Sequence, residues 1–182
     1  PTHGDYHLAG KRVSRLSAQR RARIRRDKLG FIFQSYNLLG RLTALENVAL
    51  PLLYRGFSTS KRNSAARAML ERVGLHDRCY YYPRQLSGGQ TQCVAIARAL
   101  VNQPEVIIAD EPTGNLDTES SRLVMELLSE IHKSGNTVIF VTHNPELTRY
   151  ATRVVCMQDG AVKHDEQTKL GEVGSYARQV MY

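Results

Sequence analysis

The sequence predicts an α/β domain built on a mainly parallel sheet. Two observations point there. Strand-like and helix-like segments alternate along the chain. Three short apolar or β-branched runs, 29–33, 106–109 and 137–142, each end in polar side chains: Gln34, Asp110 with Glu111, and His143. In parallel sheets ligands bind beyond the carboxyl ends of the strands, so three such endings belong in one argument.

Each element follows in order. Residues 17–27 read as a helix, and 29–33 as a short apolar strand. Thr43 and Glu46 have the Thr-x-x-Glu spacing of a capping box, which opens a helix through about residue 54. The next helix carries Ala65, Ala66, Met69, Leu70 and Val73 on one face and stops at Gly74. Residues 86–90, Leu-Ser-Gly-Gly-Gln, form a glycine-rich turn. Behind it Cys93, Ile96, Ala97 and Leu100 share a helical face, with Pro104 past the end. After the apolar strand at 106–109, Asp117 can N-cap a helix whose core face is Leu123, Val124, Leu127, Leu128 and Ile131; Gly135 ends it. The β-branched strand 137–142 follows. Asp159-Gly160, between 154–157 and 161–163, is a hairpin signal. The tail 165–182 carries no motif, and no internal repeat is present.

Composition sets bounds on function. The 182 residues are 42% hydrophobic and 23% charged, which suits one globular domain rather than a disordered chain. The longest apolar run, 48–54, is broken by Pro51 and falls far short of the roughly 18 residues a membrane-spanning helix needs. No apolar stretch of a secretory signal is expected at the start, so any membrane association is expected through a partner. Cys79, Cys93 and Cys156 are odd in number, widely spaced and without a Cys-x-x-Cys pair. They read as buried structural thiols in a reducing compartment. Residues 11–28 hold nine Lys or Arg against one acid, Asp27, which accounts for the whole net charge of +8. Such a run suits nucleic acid, anionic lipid or a solvated helix face. No aromatic residue interleaves it to stack on bases, so nucleic-acid binding is not expected.

The strand endings carry the chemistry. An apolar strand ending in Asp110 can deliver a carboxylate to Mg2+, directly or through water, and the adjacent Glu111 can polarise a water for attack on a phosphate. A plain acidic loop after a core strand is the other reading. At 86–90 two glycines let the backbone approach a ligand closely, the helix behind them aims free amides at it, and Ser87 adds a hydroxyl. That makes an anion site, or simply a turn. His143 can donate to a phosphate oxygen or be structural. Gln34 alone says little.

Together, Gln34, Leu86-Ser87-Gly88-Gly89-Gln90, the strand ending in Asp110-Glu111, Asp117 and His143 resemble the ATP-binding-cassette (ABC) transporter ATPase family, over about residues 4–160. Residues 33–39, 42–48 and 109–117 resemble its lipoprotein-release and macrolide-exporter branch. The resemblance implies a P-loop NTPase-like parallel sheet with an inserted helical subdomain at 43–100, in a single partial domain spanning 1–182 whose first strands and P-loop helix are missing. It also implies roles. Gln34 contacts Mg2+ and the attacking water. Ser87, Gly88 and Gly89 clamp the γ-phosphate of ATP on the opposite subunit, with Gln90 completing the signature. Asp110 serves the metal, Glu111 is the general base, Asp117 lies at the subunit interface and His143 holds the γ-phosphate. The implied cofactors are ATP and Mg2+. The implied partners are a second copy in a homodimer, or another ABC ATPase, and a transmembrane permease. No nucleic acid is implied, and this branch often carries a basic helix at the position of 11–28. The implied location is cytoplasmic, on the inner face of the membrane through the permease.

The sequence also departs from the family. No Gly-x-x-x-x-Gly-Lys-Ser/Thr occurs in it, although that loop supplies the amide nest, the lysine and a metal hydroxyl. The chain alone is therefore expected to bind MgATP poorly and to hydrolyse it negligibly. Loss of the adjoining strand would leave an exposed apolar sheet edge. Thr91 and Cys93 stand where the family has Gln and Arg. Three readings stay open: a transporter ATPase whose N-terminal part is absent from the sequence, a naturally short non-hydrolysing interaction module or gene remnant, and an ABC-type ATPase of DNA repair or translation. Long coiled-coil insertions, zinc modules and paired cassettes, marks of the third, do not occur here.

Overall fold

Three five-residue strands, β3 (Leu29–Phe33), β4 (Val106–Asp110) and β5 (Thr137–Val141), pair in parallel in the order β3-β4-β5. A computed structural model describes residues 3–174. The register sets Phe33 beside Asp110 and Asp110 beside Val141, so all three strands end level. One strand spacing, about 4.8 Å, therefore separates neighbouring endings.

The helices that cover this sheet lie on one face. Helix α4 (Gly88–Leu100) packs on β3, and α5 (Thr118–Lys133) packs on α4 and β5. Side chains pointing at them are buried: Ile32, Ile107 and Ala109. At Gly30 a Cβ would sit 2.7 Å from the Ala99 carbonyl oxygen, so only glycine allows α4 this close. Alternate residues, Phe31, Phe33, Ile139 and Val141, face the other way and are exposed. The Phe31 and Phe33 rings stack there at 6.1 Å. Parallel strands ordinarily read as apolar on both faces because both are covered; here the sequence has that pattern and the described residues cover one.

Between β3 and β4 the described elements are helical. Helix α1 (Ala18–Lys28) precedes β3, is N-capped by Ser17 and buries no side chain. Helix α2 (Ala44–Leu53) opens with the Thr43–Glu46 capping box, both halves of which form. Its first two amides donate to Tyr81 and Cys79 carbonyls, at 2.8 and 2.9 Å. Segment 79–81 thereby caps the start of α2, and stacked cations hold it: Arg67 over Tyr80 and Arg78 over Tyr81. Helix α3 (Thr59–Arg72) packs on α2 and α4, and Gly74 follows it at φ +74°. The core runs through Ile32, Leu70, Ile96, Ile107, Met125 and Ile131.

Two hairpins flank this unit. Strands β6 (Arg153–Gln158) and β7 (Ala161–Gln167) join through Asp159 and Gly160, both at positive φ, as the Asp-Gly signal requires. Strands β1 (His7–Leu8) and β2 (Lys11–Arg12) join through Ala9 and Gly10 in the same turn geometry. Two-residue strands have no readable periodicity, so this hairpin escapes the sequence. The strand β7 also extends into the segment that carries no motif.

Two expectations need correction. Leu123 was assigned to the core face of α5, but it is 51% exposed, and Met125 is buried instead. Leu123, Val124 and Met125 sweep about 200° of helix, so one of the three must face out. Of the cysteines only Cys79 is fully buried; Cys93 and Cys156 are half-buried. Burial pushes the Cys93 thiol up to about 11. Among the described residues no helix is long and apolar enough to cross a membrane.

Candidate active site at the carboxyl edge of the sheet

The turn after β4 puts Glu111 at φ +43°, a left-handed conformation that is uncommon for a non-glycine residue. Its backbone is tied at both ends: its N–H donates to the Val141 carbonyl at 2.9 Å, and its carbonyl accepts from Gly114 N–H at 3.1 Å. That twist aims the carboxylate at the end of β5. There Glu111 Oε1 accepts from the His143 backbone N–H at 2.7 Å, and Oε2 accepts from the Thr142 hydroxyl at 3.1 Å. His143 Nδ1 also lies 2.7 Å from Oε1. With the proton on Nδ1 the ring donates to the carboxylate and keeps Nε2 for another partner. The carboxylate is 19% exposed and the imidazole 82%. Glu111 is thus fixed, and His143 reaches into solvent. The exposed Asp110 carboxylate, one residue earlier, has no hydrogen bond or ion pair among the described residues.

A second cluster sits where the loops after β3 and β4 meet the start of α4. Gln34 Nε2 donates to Asn115 Oδ1 at 3.3 Å, and Asn115 Nδ2 donates back to the Gln34 carbonyl at 3.1 Å. At Gly114 a Cβ would lie 2.5 Å from Gln34 Nε2, so this approach needs glycine. Tyr36 Oη donates to the Asn115 carbonyl at 3.5 Å, and Gly88 lies against Tyr36 and Leu116. Gly89 lies against Ser120, whose amide and hydroxyl both donate to Asp117, each at 2.8 Å. Those two donors hold the Asp117 carboxyl below its ordinary range while it N-caps α5.

Helix α4 begins here with a reciprocal cap. Gln90 N–H donates to Ser87 Oγ at 3.2 Å, and Ser87 N–H donates to Gln90 Oε1 at 3.0 Å. The Ser87 oxygen therefore accepts one bond within the fold, and its proton remains to donate outward. Gln90 closes the cap. The amides of Gly88 and Gly89 donate to nothing among the described residues, which leaves an anion-seeking pair at the positive end of a 13-residue helix.

The structure joins Glu111 with His143, and Gln34 with the 114–117 turn and the start of α4. No hydrogen bond among the described residues links residues 87–90 to Asp110 or His143. A trio of His, Cys, Asp or Glu able to enclose a metal is absent among the described residues. The free Asp110 carboxylate and the Gln34 amide offer oxygen donors of the kind Mg2+ takes alongside waters and substrate phosphates.

Two positioning residues were not singled out in the sequence. Gln92, wholly buried, donates from Nε2 to the Pro112 carbonyl at 2.6 Å and to the Phe33 carbonyl at 3.5 Å. It ties the ends of β3 and β4 to α4, and its Oε1 is buried without a partner. Its spacing, three and four residues before the buried Ala95 and Ile96, was the available signal. Arg98 forks onto the Asn37 and Tyr36 carbonyls at 2.5 and 2.8 Å. It thereby braces a turn in which both residues take positive φ, while burial pulls its guanidinium below the ordinary value.

Comparison with known proteins bears on this geometry. A family described as ABC transporter matches residues 1–114. An uncharacterized ABC transporter ATP-binding protein of Thermotoga maritima is 50% identical over 167 residues, covering 92% of this chain and 71% of its own length. A macrolide export ATP-binding/permease protein of Pectobacterium atrosepticum is 49% identical over 169 residues, covering 93% of this chain but only 26% of its own length. A solved ATP-binding cassette, dimeric in a post-hydrolysis state with ADP and Pi, superposes with a TM-score of 0.80 at 40% identity, over 92% of this chain and 74% of that one.

Proposed function

The chain belongs to the ABC transporter family, and from that premise we propose that it is the ATP-hydrolysing part of an exporter or lipoprotein-extracting machine, coupled to a membrane permease. The observation that carries this reading is the Glu111 carboxylate, set at a level strand edge and held by Thr142 and His143. A base for water attack must be fixed, partly desolvated and next to a group that can hold the phosphate. Glu111 meets the first two conditions and His143 supplies the third.

In this reading Asp110 and Gln34 hold Mg2+, which neutralises developing charge on the phosphates when bound. Glu111 takes the proton of the attacking water. Carrying a proton on each ring nitrogen, His143 donates from Nδ1 to Glu111 and from Nε2 to the γ-phosphate. Ser87 and the amides of Gly88 and Gly89 reach the ATP of the opposing subunit, so two copies work head to tail. The 74% coverage of a dimeric cassette supports that pairing. Residues 43–100 act as a helical subdomain that docks on the permease, at the cytoplasmic side. The permease-bearing relative supports this coupling.

The 182 residues contain no Gly-x-x-x-x-Gly-Lys-Ser/Thr, so the test supplies that loop from a second cassette. The chain is added to a cassette that has its own phosphate loop but a disabled signature. Turnover above that of either component, lost again with Gly88→Asp, supports the proposed head-to-tail pairing. No gain at any ratio counts against it.

A further inference from the structure

Helix α1 is capped by Ser17 and anchored at its last turn, but it contributes no buried side chain to the fold. Six of its 11 residues are basic, and none is buried. A polar helix that stands alone is ordinarily laced by pairs of opposite charge. This one has like-charge pairs instead: Arg21 and Arg25 at i,i+4, and Arg20 with Arg23 and Arg23 with Arg26 at i,i+3, each of which repels. Arg26 is paired with Asp27 at 2.8 Å, and Lys28 with Glu105. Arg20, Arg21, Arg23 and Arg25 have no ion pair among the described residues.

The adjoining surface is apolar. Arg26 donates to the Tyr54 carbonyl at 3.3 Å, and Arg55 lies 3.8 Å from Asp27, so α1 is tied to the end of α2. There Leu53, Tyr54 and Phe57 are exposed, Tyr54 at 70%. An open groove of ≈ 460 Å³ lies between the end of α1, β3, the end of α2 and α4, with Arg25, Arg26, Phe31, Phe33, Pro51 and Tyr54 among its lining. Unneutralised arginines beside exposed aliphatic and aromatic side chains match the headgroup layer of a bilayer, which takes cations at its charged surface and apolar rings just beneath. A nucleic acid would need aromatic platforms within the basic run, and residues 11–28 contain no aromatic side chain; the test therefore includes duplex DNA as the competing partner.

We propose that α1 and the adjoining end of α2 form a lipid-binding face that docks directly on an anionic membrane, without a permease and without ATP. The four unpaired arginines are the attachment, and Leu53 and Tyr54 the shallow insertion. This holds whether or not the chain hydrolyses ATP, so its failure and that of the proposed function are separable.

The test is cosedimentation of the 182-residue chain with vesicles of phosphatidylcholine, alone or mixed with phosphatidylglycerol. Binding is expected only to the mixed vesicles, and it weakens as salt rises from about 0.05 to about 0.5 M, which shortens the screening length about threefold. The quadruple variant R20Q/R21Q/R23Q/R25Q loses at least about 100-fold in partitioning, from about fivefold per arginine. The matching Lys variant keeps it, which separates lost charge from lost fold. K61Q/R84Q/K133Q/K163Q, with the same net charge removed from other exposed sites, stays within about twofold of the parent. Equal binding to neutral vesicles, equal loss in the control variant, full competition by millimolar inorganic phosphate, or tighter binding to duplex DNA at the same salt would each overturn the proposal.

Discussion

Helix α4 buries eight of its 13 side chains, and helix α1 none of its 11. The first is enclosed by β3, α2, α3 and α5; the second packs on β3 and is otherwise tied at its last residues, by Arg26, Asp27 and Lys28, to Tyr54, Arg55 and Glu105. A helix enclosed on most of its sides lies inside a structure, and its open first turn is what meets a ligand. Its chemistry is therefore confined to the first turn, at Ser87, Gly88 and Gly89. A helix polar on every side contributes little to holding the fold, and its whole surface is available to a partner. The contrast separates residues whose loss unfolds the site from residues whose loss leaves the fold intact and changes only what the protein meets.

Substitutions can sharpen or break that contrast. The largest effect is expected in the middle of α4, where Ile96→Ala should cost about 2–5 kcal/mol by lost burial and the cavity left behind. Denaturant unfolding measures it; a cost below about 1 kcal/mol would mean that α4 is far less enclosed than described. Next comes pH. The Cys93 thiol is raised from 9.0 to about 11 in the native chain, so its contribution is complete below pH 9 and disappears as pH rises through 11. The difference corresponds to at most roughly 3 kcal/mol. Cys93→Ala, compared with the parent between pH 8 and 11, should lack that decline.

A smaller loss is expected at Gln92. Gln92→Leu leaves the Pro112 carbonyl without its donor and should cost about 1–3 kcal/mol. It should also loosen the ends of β3 and β4 together, which hydrogen exchange at residues 33–35 and 111–114 would report. The smallest effect belongs to α1. Removing Arg21 and Arg25 as glutamines should change stability by no more than about 0.5 kcal/mol, in the stabilising direction, because a repulsive pair is relieved. A loss of several kcal/mol there would erase the distinction between the two helices.

The sequence reading succeeded where one segment carries its own signal. The Thr43–Glu46 cap, the Asp159-Gly160 turn and the three strands with polar endings are local patterns, and the structure has them. Gln34, Glu111 and His143 could be named because each follows an apolar run. Their partners could not: that Gln34 would bond Asn115, or Glu111 would accept from Thr142, depends on which loops the register brings side by side. Gln92 and Arg98 were hidden for the same reason, since their acceptors are carbonyls on other elements. The tyrosines at 80–82 have no account in the sequence; in the structure the Tyr81 carbonyl caps the start of α2, and Arg67 and Arg78 stack on Tyr80 and Tyr81.

The level finish of β3, β4 and β5 has an evolutionary side. Glu111 and His143 are 32 positions apart in the chain, yet their meeting is set by one strand spacing and not by what lies between them. Insertions or deletions in the α5 connection can drift without altering the distance between the two groups. A single-residue slip inside β5 is another matter: it would turn every side chain to the opposite face and carry His143 about 3.3 Å along the strand. Tolerance of length change should thus be generous in the connections and nearly zero within three stretches of five residues, a pattern a tiling library of one-residue deletions would make visible.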